Sequence, residues 1–159
     1  YPWFKRVGAT HLAGLSSAFP TAPLIATGAV DDAQLTRLEA YAAHEVGDGE
    51  ALVVLVHHNL HERSARKNRL HGLTNRAEVL DRVARAGVDL LLHGHTHLAH
   101  RFTHGTLPVV GCGSSTWHGS APEHTARFNT YALGPGGLRD GLDGIQVHVR
   151  GRDWDARPA

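Results

Sequence analysis

Residues 90–100 read LLLHGHTHLAH, with His93, His95, His97 and His100 crowded behind three leucines. A second pair, His57 and His58, closes the apolar run ALVVLV at 51–56. Fourteen residues are histidine and one, Cys112, is cysteine. Any metal chemistry here therefore falls to imidazole rather than to a cysteine-built knuckle. Neutral imidazole binds zinc, iron and related ions through nitrogen, with bonds of roughly 2.0–2.1 Å for zinc. Three imidazoles converging on one crevice without an ion would gain little and would repel each other once protonated. His57, His95 and His97 are accordingly expected to be metal ligands. His95 and His97, at i and i+2, share a side if the backbone stays extended, and Gly94 is expected to let the chain leave the sheet just before them. His58 and His93, each next to a ligand motif, are expected to stay out of the ligand set, because adjacent side chains of an extended segment point to opposite faces. The isolated His11, His44, His104, His124 and His148 read as ordinary surface or half-buried residues, as do His61, His71 and His100.

Elements must deliver these side chains to one place. The segment 7–15, VGATHLAGL, has strand composition, and SSAFPTAP at 16–23 is a loop because its prolines and serines deny it a ladder. Asp31 and Gln34 have capping-box spacing. Leu35, Leu38, Ala42 and Val46 follow at intervals of three and four, so the pattern predicts a helix over 32–46 ended by Gly47. The run 51–57 reads as a strand buried on both faces. Asn75 and Glu78 repeat the capping spacing ahead of Val79, Leu80 and Val83, predicting a helix over 75–86, and VDLLLH at 88–93 is a second buried strand. The unit 51–93 is thus strand–helix–strand with parallel strands. Four further strand-like segments follow, LAHRFT, LPVVGC, RFNTYAL and IQVHVRG. The glycine-rich 134–144 reads as an exposed hairpin loop between the last two. In an open α/β sheet ligands sit beyond the carboxyl ends of parallel strands, where His57 and His95 both fall.

The bulk numbers narrow the class. A chain of 159 residues, 42% apolar and 19% charged, suits one domain with a real core. A net charge of +1 without a long block of one sign gives no electrostatic basis for capturing nucleic acid. No apolar run reaches a membrane span, and a cytoplasmic setting is expected. The sequence begins at Tyr1 and contains no methionine, which leads us to expect a piece of a longer protein.

LVVLVHHNL followed some thirty residues later by VDLLLHGHTH resembles the two C-terminal motifs of the calcineurin-like metallophosphoesterases. In that family a strand ends in a metal-binding histidine, often written HHPP, and a later GHxH supplies two more ligands. The basic stretch RSARKNRLHGLTNRAEVLDRVARAGVD and the GLSSA turn are also similar to bacterial members. The resemblance runs from Gly14 to about Leu133. Asn59-Leu60 replaces the two prolines, and the first-half motifs DxH, GD and GNH, in that order, are absent.

The resemblance implies an α/β fold, one part of a four-layer αββα sandwich with a βαβ unit followed by mainly antiparallel strands. Residues 1–159 would form a single partial domain, the C-terminal portion. It implies two divalent ions (Mn, Fe or Zn) in the complete enzyme, His57 and His95 on one and His97 on the other. The activity implied is hydrolysis of phosphomonoesters or phosphodiesters by metal-activated hydroxide. Arg66, Lys67 and Arg69, expected in a loop after His57, are candidate contacts for the phosphoester, although a solvated basic loop explains them equally. Ser114, Ser115 and Thr116 are either pocket lining or a polar turn. No catalytic residue is assigned within this stretch, and the chain alone is expected to be inactive, binding at most one ion well and self-associating through an incomplete sheet. Two alternatives stand beside this reading: a mononuclear three-histidine zinc hydrolase or lyase, and a non-catalytic metal-binding module.

Overall fold

The computed structural model describes residues 1–116, 125–150 and 154–157. Its centre is a six-stranded sheet in the order β1-β2-β3-β4-β6-β5, from β1 (Trp3–Val7), β2 (Thr10–Leu15), β3 (Ala51–Val56), β4 (Leu90–His93), β5 (His100–His104) and β6 (Leu107–Gly111). β2, β3, β4 and β6 run parallel, and β1 and β5 lie antiparallel at the two edges. The expected strand over 7–15 is in fact the second arm of a hairpin. Gly8, at φ 59°, takes the left-handed position that a two-residue turn demands, which lets Trp3–Val7 fold back on Thr10–Gly14.

Period-2 alternation gives the sheet two apolar faces. Leu52, Val54, Val56, Leu91 and Val109 share one cluster with α1 (Asp32–Glu45) and α3 (Arg76–Arg85). Leu35, Leu38, Val79 and Val83 come from these helices at 1% exposure or less, each contributing about 1.5–3 kcal/mol of burial. At α1 Asp31 caps the helix as the spacing predicts, but the Gln34 side chain pairs with the Ser16 backbone and the Asp31 carboxylate instead of closing a reciprocal box. Gln34 N donates to Asp31 Oδ1 at 2.9 Å, and Gln34 Nε2 donates to Asp31 Oδ2 at 2.7 Å. At α3 the same spacing serves a different end. Asn75 makes no side-chain cap; it clamps Val30, accepting from its N–H at 3.2 Å and donating to its carbonyl at 2.8 Å. A backbone pair left open on the neighbouring loop outcompetes the helix for this amide.

The second face is covered by Leu133, Leu138, Leu142 and Ile145 packed on Val53, Leu90 and Val110. Residues 134–144 are therefore not a free hairpin loop. They hold a short hairpin, β8 (Leu133–Gly134) with β9 (Gly137–Leu138), and a 3-10 turn over Gly141–Gly144. The apolar residues spaced among the glycines find an uncovered sheet face, and burying them there outweighs leaving the segment in water. β7 (Arg127–Thr130), β10 (Gln146–Arg150) and β11 (Trp154–Arg157) make a separate antiparallel sheet in the order β11-β10-β7. A second correction concerns the basic stretch after β3: residues 65–71 form the short helix α2 (Ala65–His71) rather than a loop. The architecture is thus mixed α/β. Among the described residues no helix is long and apolar enough to cross a membrane.

Candidate functional site

The parallel register sets the ends of β3 and β4 side by side, with Val56 opposite His93. His57 is the first residue past β3 and His95 the second past β4. The Gly94 N–H donates to the His57 carbonyl at 3.1 Å, tying the two exits together. Beyond that link His57 Nε2 and His95 Nδ1 stand 3.1 Å apart, with ring planes 81° from parallel. Two nitrogens bound to one ion at roughly 2.0–2.1 Å, with an angle near tetrahedral or square, would be about 2.9–3.4 Å apart. The pair therefore fits both a shared hydrogen bond between neutral rings and two positions on one divalent ion.

The backbone that presents His95 is not extended. His95 has φ 71° and His97 φ 57°, and the Thr96 N–H donates to the Gly94 carbonyl at 2.9 Å, closing a three-residue turn with His95 at its left-handed centre. The extended-chain argument for placing His95 and His97 on one side does not apply here. Gly94 is also not the residue with unusual φ; a Cβ there would meet only the His57 carbonyl oxygen at an ordinary 3.7 Å. The special conformation falls on the histidines themselves, at about 1–3 kcal/mol each, and such outliers cluster at functional sites. His97 is exposed. Among the described residues no three His, Cys, Asp or Glu side chains form a group that could hold one ion.

Other imidazoles surround the pair. His58 is buried, its ring 4.6 Å from that of His95 and 5.3 Å from that of His57. Both of its nitrogens are engaged, Nδ1 with Ser17 Oγ at 2.7 Å and Nε2 with the Ala26 carbonyl at 3.2 Å. His58 thus fastens the 16–28 loop to the site. Gly28 makes room for it, since a Cβ there would strike the His58 ring. His71, at the end of α2, brings its ring to 6.5 Å from His95. Burial, reinforced by His58, His57, His71 and Arg63, pushes the His95 imidazole down to about 4. Near neutral pH His95 is held in the uncharged form that ligates metal.

The basic residues divide differently from expectation. Arg66, Lys67 and Arg69 ride on α2, and the side chain of that helix that reaches the pair is His71. Arg69 instead lines a cavity of about 400 Å³ with Asn59, Thr74 and Arg76. Nothing in the spacing of a seven-residue helix without a buried residue flags His71. Ser114 Oγ accepts from the Thr116 N–H at 3.3 Å, a polar turn after β6. His93 lies buried against His61, 5.5 Å between ring centres, and His124 falls outside the described residues. On the second sheet face a groove of about 320 Å³, lined by Trp3, Leu55, Leu92 and Cys112, opens beside His57.

No family model matches the chain, and none of the curated proteins matches it. A solved structure described as GAP50, the anchor in the inner membrane complex of Plasmodium, is similar over 99% of this chain at 15% identity, with a TM-score of 0.50. The match covers 52% of that protein, so the chain spans about half of its length. At this identity the likeness speaks to the fold alone.

Proposed function

We propose that the chain is the C-terminal part of a metal-dependent phosphoesterase of the calcineurin-like kind, acting on phosphomonoesters or phosphodiesters. The observation that supports this is the meeting of His57 and His95, 3.1 Å apart, at the ends of neighbouring parallel strands. In this reading His57 and His95 hold one divalent ion (Mn, Fe or Zn) and His97 serves a second. The ions, when bound, supply a nucleophile from water and neutralise charge on the phosphate oxygens. The protein's own part is to keep His95 uncharged, to hold its turn against Gly94, and to brace its ring with His58. Carboxylate ligands to balance two dications would come from outside this sequence. A second sheet packed on the groove beside Trp3 and Leu55 would complete a four-layer αββα sandwich. A small phosphoester substrate and a cytoplasmic setting belong to the same proposal, as does self-association where that face stays open.

His97 is exposed and, among the described residues, does not group with His57 and His95 around one ion, which weighs for a shared two-ion centre over a self-sufficient three-histidine one. The test is hydrolysis of an aryl phosphodiester with excess Mn²⁺. A chain extended by the preceding segment should turn over and lose activity in His57→Ala and His95→Ala. The 159-residue chain should show no turnover. Metal-dependent hydrolysis by that chain alone, lost in His95→Ala, would overturn the proposal in favour of the three-histidine site.

A further inference from the structure

The His57–His95 pair leaves a second group of imidazoles unused. A cavity of about 450 Å³ lies between the loop after β3, helix α3 and strand β5, a size typical of sites for small ligands. Its apolar lining is Leu60, Ala77, Leu80 and Phe102. Across it His61 and His100 stack, ring centres 4.4 Å apart and planes within 18°. Phe102 meets His100 edge-on at 5.7 Å. The outer member of the stack, His100, is exposed, so the row of rings ends at the cavity.

One polar feature of the lining is open to a ligand. Arg76 is paired in the cavity with Glu62 at 3.6 Å, and Glu62 is 84% exposed, so this ion pair is loose and holds the guanidinium weakly. On the far wall His104 Nε2 lies 2.7 Å from Asp81 Oδ1.

We propose that this cavity binds a small planar aromatic anion. Its ring extends the His61–His100 stack over the apolar floor. Its anionic group takes Arg76 from Glu62. The inference is independent of the phosphoesterase reading, because it uses neither His57 nor His95.

Calorimetric titration of chelator-treated protein with phenyl phosphate tests it, since without divalent ions the His57–His95 pair has no metal through which to hold phosphate. Saturable one-to-one binding is expected. Arg76→Ala should weaken it about 10-fold or more, the loss of a charge-assisted contact. His100→Ala should weaken it about 3–10-fold through lost stacking. Glu62→Gln should strengthen it, and His95→Ala should leave it unchanged. Inorganic phosphate, which cannot stack, should bind more weakly than phenyl phosphate. Absence of saturable binding would overturn the proposal. So would equal affinity for the two phosphates, or binding lost in His95→Ala and retained in folded Arg76→Ala.

Discussion

His57 and His95 lie on the solvent side of the β3 and β4 ends, whereas His61 and His93 lie beneath the helices a few residues away. The residue type is the same and the environments are opposite. His93 continues the side of β4 that carries Leu91 into the helical core, in regular strand backbone and at 4% exposure. His95, two residues on, sits in a left-handed turn and meets His57 through a ring nitrogen. The buried group is held by packing and has two unpartnered nitrogens, His61 Nδ1 and His93 Nε2. The outer group has converging nitrogens and a strained backbone. The imidazole of β4 is fitted to its space by packing, while the imidazoles of His57 and His95 turn their ring nitrogens toward each other.

The sharpest way to break this comparison is to remove one ring from the outer group. His95→Ala in the extended chain should lower divalent metal affinity by more than about 100-fold, beyond the 10–100-fold that outer-shell partners cost. Equilibrium dialysis with Mn²⁺ or Zn²⁺ measures this, and the thermal midpoint should not fall.

The inner group should respond to volume instead. A Cβ at Gly111 would sit 2.5 Å from His93 Cε1. Gly111→Ala should therefore cost about 1–3 kcal/mol in urea unfolding through overpacking, while metal affinity changes little. An unchanged urea midpoint would show that His93 is not wedged there.

Acid should also find the buried rings. Burial, with a repulsive contribution from neighbouring imidazoles, pushes His61 and His93 from the ordinary 6.5 down to about 4. Between those values the unfolded chain binds protons that the folded chain does not. Stability is then full above pH 6.5 and falls as the pH drops toward 4. Urea midpoints at pH 7.5 and 5 should differ in that direction, and His61→Leu should flatten the difference.

The smallest effect separates function from stability at a single residue. His95→Gly relieves the left-handed φ and should raise stability by up to about 1 kcal/mol, the strain relief being partly offset by unfolded-state entropy. Metal affinity should be lost at the same time. A destabilised His95→Gly would mean that the imidazole, rather than the turn, holds this loop.

Much of this arrangement was legible because it rests on local pattern. The N-cap of Asp31, the three-and-four spacing of Leu35 and Leu38, and the doubly apolar runs of β3 and β4 each specify an element from a few neighbouring residues. Placing His57 and His95 just past two such strands was enough to expect them to meet. Residues that serve a distant partner did not show themselves. Asn75 has the spacing of a cap and spends its amide on Val30. Arg66, Lys67 and Arg69 read as a loop because α2 has no buried stripe to give it a period.

The sequence by itself determined the α/β order, the two buried parallel strands and the histidines at their ends, because hydrophobic periodicity and end-capping act over one or two turns of chain. Only the tertiary structure decided that Leu138, Leu142 and Ile145 cover the second sheet face, that His71 approaches His95, and that His61, His93 and His100 gather in a group of their own. It also decided that the left-handed residues are His95 and His97 rather than Gly94. Each of these depends on which surfaces remain uncovered after the sheet and helices have packed, and that is a property of the whole chain rather than of any window along it.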